Sequence, residues 1–192
     1  MTHAAGAHHT SMGLDNRKLA FWAFIGSECL LFGSLISTYL VYKGKSVTGP
    51  HPHEILNIPF TSASTFDLLA SSLTMVLALA AVQRKDVRWA KIWLLATALL
   101  GLLFLAGQVY EFSSFVHEGL KLDTNLFGST FYVLTGTHGA HVTVGVMWLL
   151  THWVRLMRGH MPDAMTVEIT GLYWHFVDVI WIVIFTLVYL IQ

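Results

Sequence analysis

Seven ionisable side chains fall inside apolar stretches of this 192-residue chain: Glu28, Asp67, Glu111, His138, His141, His175 and Asp178. Charge within hydrocarbon is costly, so each of them must face protein, water or a partner. A carboxylate beside an imidazole can share a proton, converging imidazoles can ligate haem iron or copper, and a file of both can relay protons. Glu28 lies about nine residues, or about 13 Å, beyond the start of its apolar run. At that depth it cannot snorkel to water, and it must be protonated or paired. His141 stands in the matching half of a helix with a small-residue face, which makes Glu28 and His141 the candidate intramembrane pair. His175 and Asp178 are three apart, share one helix face and form a local polar pair. Glu111 and His138 complete the buried polar set. The plain reading of all of these is that they hold helices together.

Two sharper readings come from other classes. A small membrane haem protein would use two of His138, His141 and His175, because a bis-imidazole haem needs ligands at matched depth on facing helices. His138 and His141, however, sit on adjacent turns of one helix with Gly139 and Ala140 between them, and spans one to three offer no further histidine within the membrane. A transporter would use Glu28 and the histidines as a proton relay, but such folds build their sites at paired broken helices, and no matched Gly/Pro interruptions occur in these spans. No metal site is therefore expected.

The elements that must position these groups are transmembrane helices. Hydrophobic residues make up 55% of the chain and charged ones 11%, with a mean hydropathy of +0.61, a balance suited to a bilayer. The formal net charge of zero excludes a basic field for nucleic acid. The single cysteine, Cys29, excludes an internal disulfide and reads as a small hydrophobe. A helix crosses the hydrocarbon with about 20 apolar residues. Five stretches qualify, approximately 19–42, 64–83, 89–116, 126–154 and 170–191. The expected fold is thus an all-α, polytopic five-helix bundle over residues 19–192, preceded by a flexible His-rich tail over 1–18 that does not read as a signal peptide. Residues 43–63, with Gly44, Gly49, Pro50, Pro52 and Pro59, read as a surface loop. Arg17, Lys18, Arg84, Lys85, Arg88, Lys91, Arg155 and Arg158 fall on one side and Lys43, Lys45 and Lys121 on the other. The positive-inside rule then puts the N-terminus in the cytoplasm. Small-xxx-small faces at Gly33 with Ser37, and at Gly136 with Ala140, mark spans one and four for close packing.

The residues also carry a family resemblance. The run Gly171-Leu-Tyr-Trp-His-Phe-Val-Asp-Val-Ile-Trp181, continuing to Val188-Tyr-Leu190, resembles the closing helix of subunit III of the haem-copper respiratory oxidases. Gly128-Ser-Thr-Phe-Tyr132, Thr135-Gly-Thr-His-Gly-Ala-His-Val142 and Gly145 are similar to its penultimate helix. Gln108-Val-Tyr-Glu-Phe112 resembles the element before that, and Gly26-Ser-Glu-Cys-Leu-Leu-Phe32 the helix that carries the family's membrane carboxylate. The matches run in family order from about Phe21 to Leu190.

The resemblance implies a non-redox accessory subunit of a proton-pumping terminal oxidase that reduces oxygen to water. Such a subunit has no catalytic centre and no haem or copper of its own, those cofactors being held by partner subunits. It packs directly on catalytic subunit I, beside subunit II and the other oxidase subunits, and supports stability and proton uptake. It also holds structural phospholipid, whose head groups would meet Arg155 and His160. By position Glu28 is the family's membrane carboxylate and His141 its partner. Lacking two N-terminal helices, the chain resembles the short bacterial form, which implies a multi-pass protein of the bacterial cell (inner) membrane. That form serves both cytochrome c and quinol oxidases, and the resemblance favours cytochrome c oxidase with quinol oxidase as the alternative.

Overall fold

A computed structural model describes residues 15–45 and 57–191, which form five long helices. These are α1 (Asn16–Tyr42), α2 (Ile58–Gln83), α3 (Val87–His117), α4 (Leu126–Met157) and α5 (Ala164–Phe185), the last continued by a π-helical turn, Thr186–Leu190. Among the described residues four helical stretches are long and apolar enough to cross a membrane: Asn16–Tyr42, Ile58–Gln83, Val87–His117 and Ala164–Leu190. α4, at 32 residues, has the length, but it carries His138, His141, His152 and five threonines between Thr130 and Thr151.

Local chemistry starts and stops each helix. The side chains of Asp15, Asn57, Asp86 and Asn125 accept hydrogen bonds from the backbone N–H groups of Arg17, Phe60, Trp89 and Gly128, satisfying donors that the first turn leaves open. Asn57, with Pro59 just inside, starts α2 at Ile58. The second span therefore begins six residues before the expected 64, and 58–63 is helix rather than surface loop. Gly49, Pro50 and Pro52 lie outside the described residues, as do His3, His8 and His9. At the other end of the chain α5 begins at Ala164, not at 170, because Asp163 is extended and the strong helix formers Ala164 and Met165 follow it. Asn16 to Lys18, expected in the tail, form the first turn of α1. α3 and α4 end in the left-handed turns of Gly119 (φ 90°) and Gly159 (φ 79°), where the N–H groups of Leu120 and His160 return to Phe115 and Arg155.

α2 packs between α3 and α5, α4 packs against α3, α5 and α1, and α1 stands at the edge. The glycines that permit close approach are not those of the expected small-residue faces. A Cβ on Gly33 or Gly136 would meet nothing within 4 Å, and Ser37 and Ala140 are exposed. One on Gly101 would come within 2.6 Å of the Trp174 ring, and one on Gly145 within 2.8 Å of the same ring. The Trp174 indole is thus held between α3 and α4, and its N–H donates to Ser71 Oγ of α2 at 2.8 Å. One side chain of α5 joins three helices. Small-xxx-small spacing marks Gly33 and Gly136 for close packing, but in lipid a small residue is equally at home facing outward.

Candidate functional site

The candidate site is a set of polar groups between helices, with Glu28, Ser72, His138, His141, His175 and Asp178 towards the middle of their helices and Glu111 and His152 nearer the ends. Glu28 lies twelve residues into α1, about 18 Å from its start, and its Oε2 is 3.1 Å from His141 Nε2 of α4. His141 Nδ1 is 2.8 Å from the carbonyl of Thr137. A carbonyl only accepts, so Nδ1 carries a hydrogen and donates to it. The Nε2–Glu28 bond then holds one proton, whether the pair is imidazolium with carboxylate or imidazole with carboxylic acid. Phe32 meets the imidazole edge-on with centroids 5.0 Å apart, and Tyr173 donates its hydroxyl to the His141 carbonyl at 3.0 Å.

The pair is not sealed in a dry interior. Its side chains remain 18% and 16% exposed, and His141 lines an open, largely aromatic groove of about 480 Å³ with Phe21, Phe24, Val144, Trp148 and Tyr173. His138, one turn away, points elsewhere. It is fully buried, stacked on Trp181 at 4.9 Å with Phe104 edge-on at 5.8 Å, and neither ring nitrogen has a hydrogen-bond partner among the described residues. The two histidines therefore diverge, and among the described residues no group of three or more His, Cys, Asp or Glu side chains is placed to hold a metal ion.

His175 and Asp178 do not bond each other directly. Ser72 of α2 stands between them, its Oγ 2.8 Å from His175 Nδ1 and also hydrogen-bonded to Asp178 Oδ2. Because a hydroxyl donates one hydrogen, Ser72 donates to the carboxylate and accepts from His175 Nδ1–H. Asp178 Oδ1 is buried without a partner among the described residues. His175 also lines a cleft of about 200 Å³ with Met75, Leu79, Glu168 and Leu172. Glu111 of α3 accepts from Thr61 at 2.7 Å and from Tyr189 at 3.1 Å. Arg155 and His160 are exposed at the far end of α4.

Several partners were not foreseen from the sequence: Thr61, Thr65, Ser71 and Ser72 on α2, Gln108 on α3, and His152 on α4. Thr65 accepts from the Trp181 indole at 2.9 Å, Gln108 donates to the Thr135 carbonyl at 3.1 Å, and His152 bonds Thr170 at 2.9 Å. The spacing of Thr61, Thr65 and Ser72, by four and seven residues, was the available signal, since it puts three hydroxyls on one face of α2. At the end of the bundle holding the start of α1, Lys18 meets Glu168 at 2.5 Å and Arg17 meets Asp163 at 3.5 Å.

Fold and site together define the class: an α-helical membrane protein whose buried polar groups bond one helix to another. The chain matches the family described as cytochrome c oxidase subunit III over residues 2–192, and it belongs to that family. It is 43% identical to cytochrome c oxidase subunit 3 of Bacillus sp. (strain PS3), covering 97% of this chain and 91% of that relative. It is 42% identical to quinol oxidase subunit 3 of Bacillus subtilis (strain 168), covering 90% and 85%, and 38% identical to cytochrome c oxidase subunit 3 of the same strain, covering 98% and 93%.

Proposed function

We propose that this chain is the non-redox accessory subunit III of a haem-copper terminal oxidase, a five-span protein of a bacterial cell membrane with its N-terminus in the cytoplasm. Family membership over nearly the whole chain carries the oxidase assignment. The observation that carries the non-redox role is the disposition of the histidines. His138 is caged by aromatic rings, His141 is engaged by Glu28 and Thr137, and His175 by Ser72, so three potential ligands face three different ways.

In this reading haem and copper belong to partner subunits, and this chain's polar groups serve assembly. The Glu28–His141 pair ties α1 to the bundle and holds a proton beside the aromatic groove, where it can support proton uptake by an adjoining subunit I. In the same reading Arg155 and His160 meet phospholipid head groups, which their exposure at the end of α4 supports. Residues 19–192 act as one membrane domain, with α4 crossing as a fifth span because its polar residues are turned into the bundle or bonded: His138 is enclosed by the rings of Trp181 and Phe104, His152 bonds Thr170, His141 bonds Glu28, and Thr135 and Thr143 bond carbonyls of their own helix. Cytochrome c is the favoured electron donor, supported by the Bacillus sp. (strain PS3) relative, and quinol is the alternative supported by the quinol oxidase relatives.

Purification of the tagged chain in mild detergent should recover a large haem-containing membrane protein, while the chain by itself should show no Soret band. A stoichiometric haem in the isolated chain would overturn the non-redox role. A reporter active only outside the cytoplasm should work when fused after Gln192 and stay silent within 84–88; the reverse pattern would overturn the topology.

A further inference from the structure

Asp67 differs from the other carboxylates in the bundle. Glu28 bonds His141, Glu111 bonds Thr61 and Tyr189, and Asp178 bonds Ser72. Asp67 is partly exposed and has no hydrogen-bond or ion-pair partner among the described residues. It lies nine residues beyond Ile58 in the 26-residue α2, about 14 Å along the axis of a helix long and apolar enough to cross a membrane.

Contacts on either side locate it in the outward seam between α2 and α3. Towards one end Gly107 lies against Ser64, and Phe60 lies 5.6 Å from Tyr110. Towards the other, Thr74 and Thr97 are hydrogen-bonded at 2.8 Å. The hydroxyls around it are already engaged, Ser64 with the Phe60 carbonyl, and Thr74 and Thr97 with each other, the one that accepts in that bond donating to a carbonyl of its own helix. Beside the seam stand Phe66, Leu99 and Leu103, which are 71%, 54% and 55% exposed. Ala63, Ala70 and Ala96 are small enough to admit a close helix.

We propose that the α2/α3 face centred on Asp67 is the docking surface for a transmembrane helix of another oxidase subunit, one that brings a lysine or arginine to the depth of Asp67; this rests on the oxidase reading above. A carboxylate facing out of the bundle at that depth is matched by a cation that is itself out of water. Phospholipid cations match it less well than a helix-borne one, because head groups stay at the interface while Asp67 lies about 14 Å along the helix from its start. A second copy of this chain does not match it either, since among the described residues every Lys and Arg lies in a connection or within about two turns of a helix end, Lys91 of α3 being the deepest.

The test uses membranes containing the assembled oxidase, with a photoreactive residue in place of Leu103 and, as a control on another face, of Leu30, which is 78% exposed. Irradiation at Leu103 should join this chain to a second polypeptide through a helix that contains Lys or Arg. Asp67→Lys should lower co-purification of that subunit about tenfold, and replacing the partner's cation by Glu should restore it. Asp67→Leu, which inserts into a bilayer more readily than the native residue, should also lose retention, while Asp67→Glu should keep it. Adducts at Leu103 with lipid alone or with a second copy of this chain would overturn the proposal, as would full retention of Asp67→Leu. If a haem-containing subunit co-purifies and Leu103 still meets only lipid, the docking surface is lost and the oxidase reading stands. If no haem-containing subunit co-purifies, both are lost.

Discussion

α1 and α5 are both long and apolar enough to cross a membrane, but they are held in different ways. In its most apolar stretch α1 is 11% buried and α5 with its π turn is 44% buried. α1 buries only Ile25, Phe32 and Tyr39, a strip with one residue every seven, and adds the Glu28–His141 bond and the Lys18–Glu168 bridge. α5 sends Trp174 between Gly101 and Gly145 and Trp181 between His138 and Phe104, and bonds α2 through Ser71, Ser72 and Thr65. Apolar contact alone gives little preference for a helix over lipid. A central helix is therefore held by shape and many hydrogen bonds, an edge helix by a few polar ties.

The largest effect should come from closing the Trp174 slot. Gly101→Ala or Gly145→Ala places a methyl group against the indole, and overpacking of this kind costs about 1–3 kcal/mol. Gly33→Ala, on the open face of α1, should change stability by no more than about 0.5 kcal/mol. Thermal unfolding of the purified protein in one detergent compares them. Equal sensitivity at Gly33 and Gly101 would erase the distinction between edge and centre.

The polar tie of α1 should give a smaller effect. Because Glu28 and His141 remain partly exposed, a double-mutant cycle with Glu28→Ala and His141→Ala should show coupling of about 1 kcal/mol, the scale of hydrogen bonds between membrane helices. Glu28→Gln, whose amide can donate to Nε2, should retain most of it. The initial oxygen-reduction rate of assembled complexes should stay near normal, with loss appearing over many turnovers. Additive substitutions would mean that the tie contributes nothing, and abolition of the initial rate by Glu28→Ala in a fully haem-loaded complex would make the residue catalytic.

The smallest effect belongs to Lys18 and Glu168, whose side chains are 35% and 31% exposed. Removing either should cost less than about 1 kcal/mol, and the cost should shrink as salt is raised from low ionic strength. A cost that ignores salt would show that the bridge is shielded from water, giving α1 a firmer hold than its burial indicates.

Much of this protein is legible in its sequence for a definite reason. Excess hydrophobicity over runs of about 20 residues forces helices, because backbone groups in lipid must bond within their own segment. The rarity of ionisable residues in such runs singles out Glu28, Asp67, Glu111, His138, His141, His175 and Asp178. Spacing also shows which residues share a face, as with His175 and Asp178. It does not show what that face meets. In water a buried face differs from an exposed one in polarity, but in a bilayer both are apolar, so the faces of Gly33 and Gly101 look alike until the helices are assembled. Only the tertiary structure could insert Ser72 between His175 and Asp178, turn His138 away from His141 into an aromatic cage, seat Trp174 between two glycines and leave Asp67 partly exposed. Each of these depends on the rotation of one helix against another, which is set by side-chain packing across the interface and has no counterpart in the pattern of a single segment.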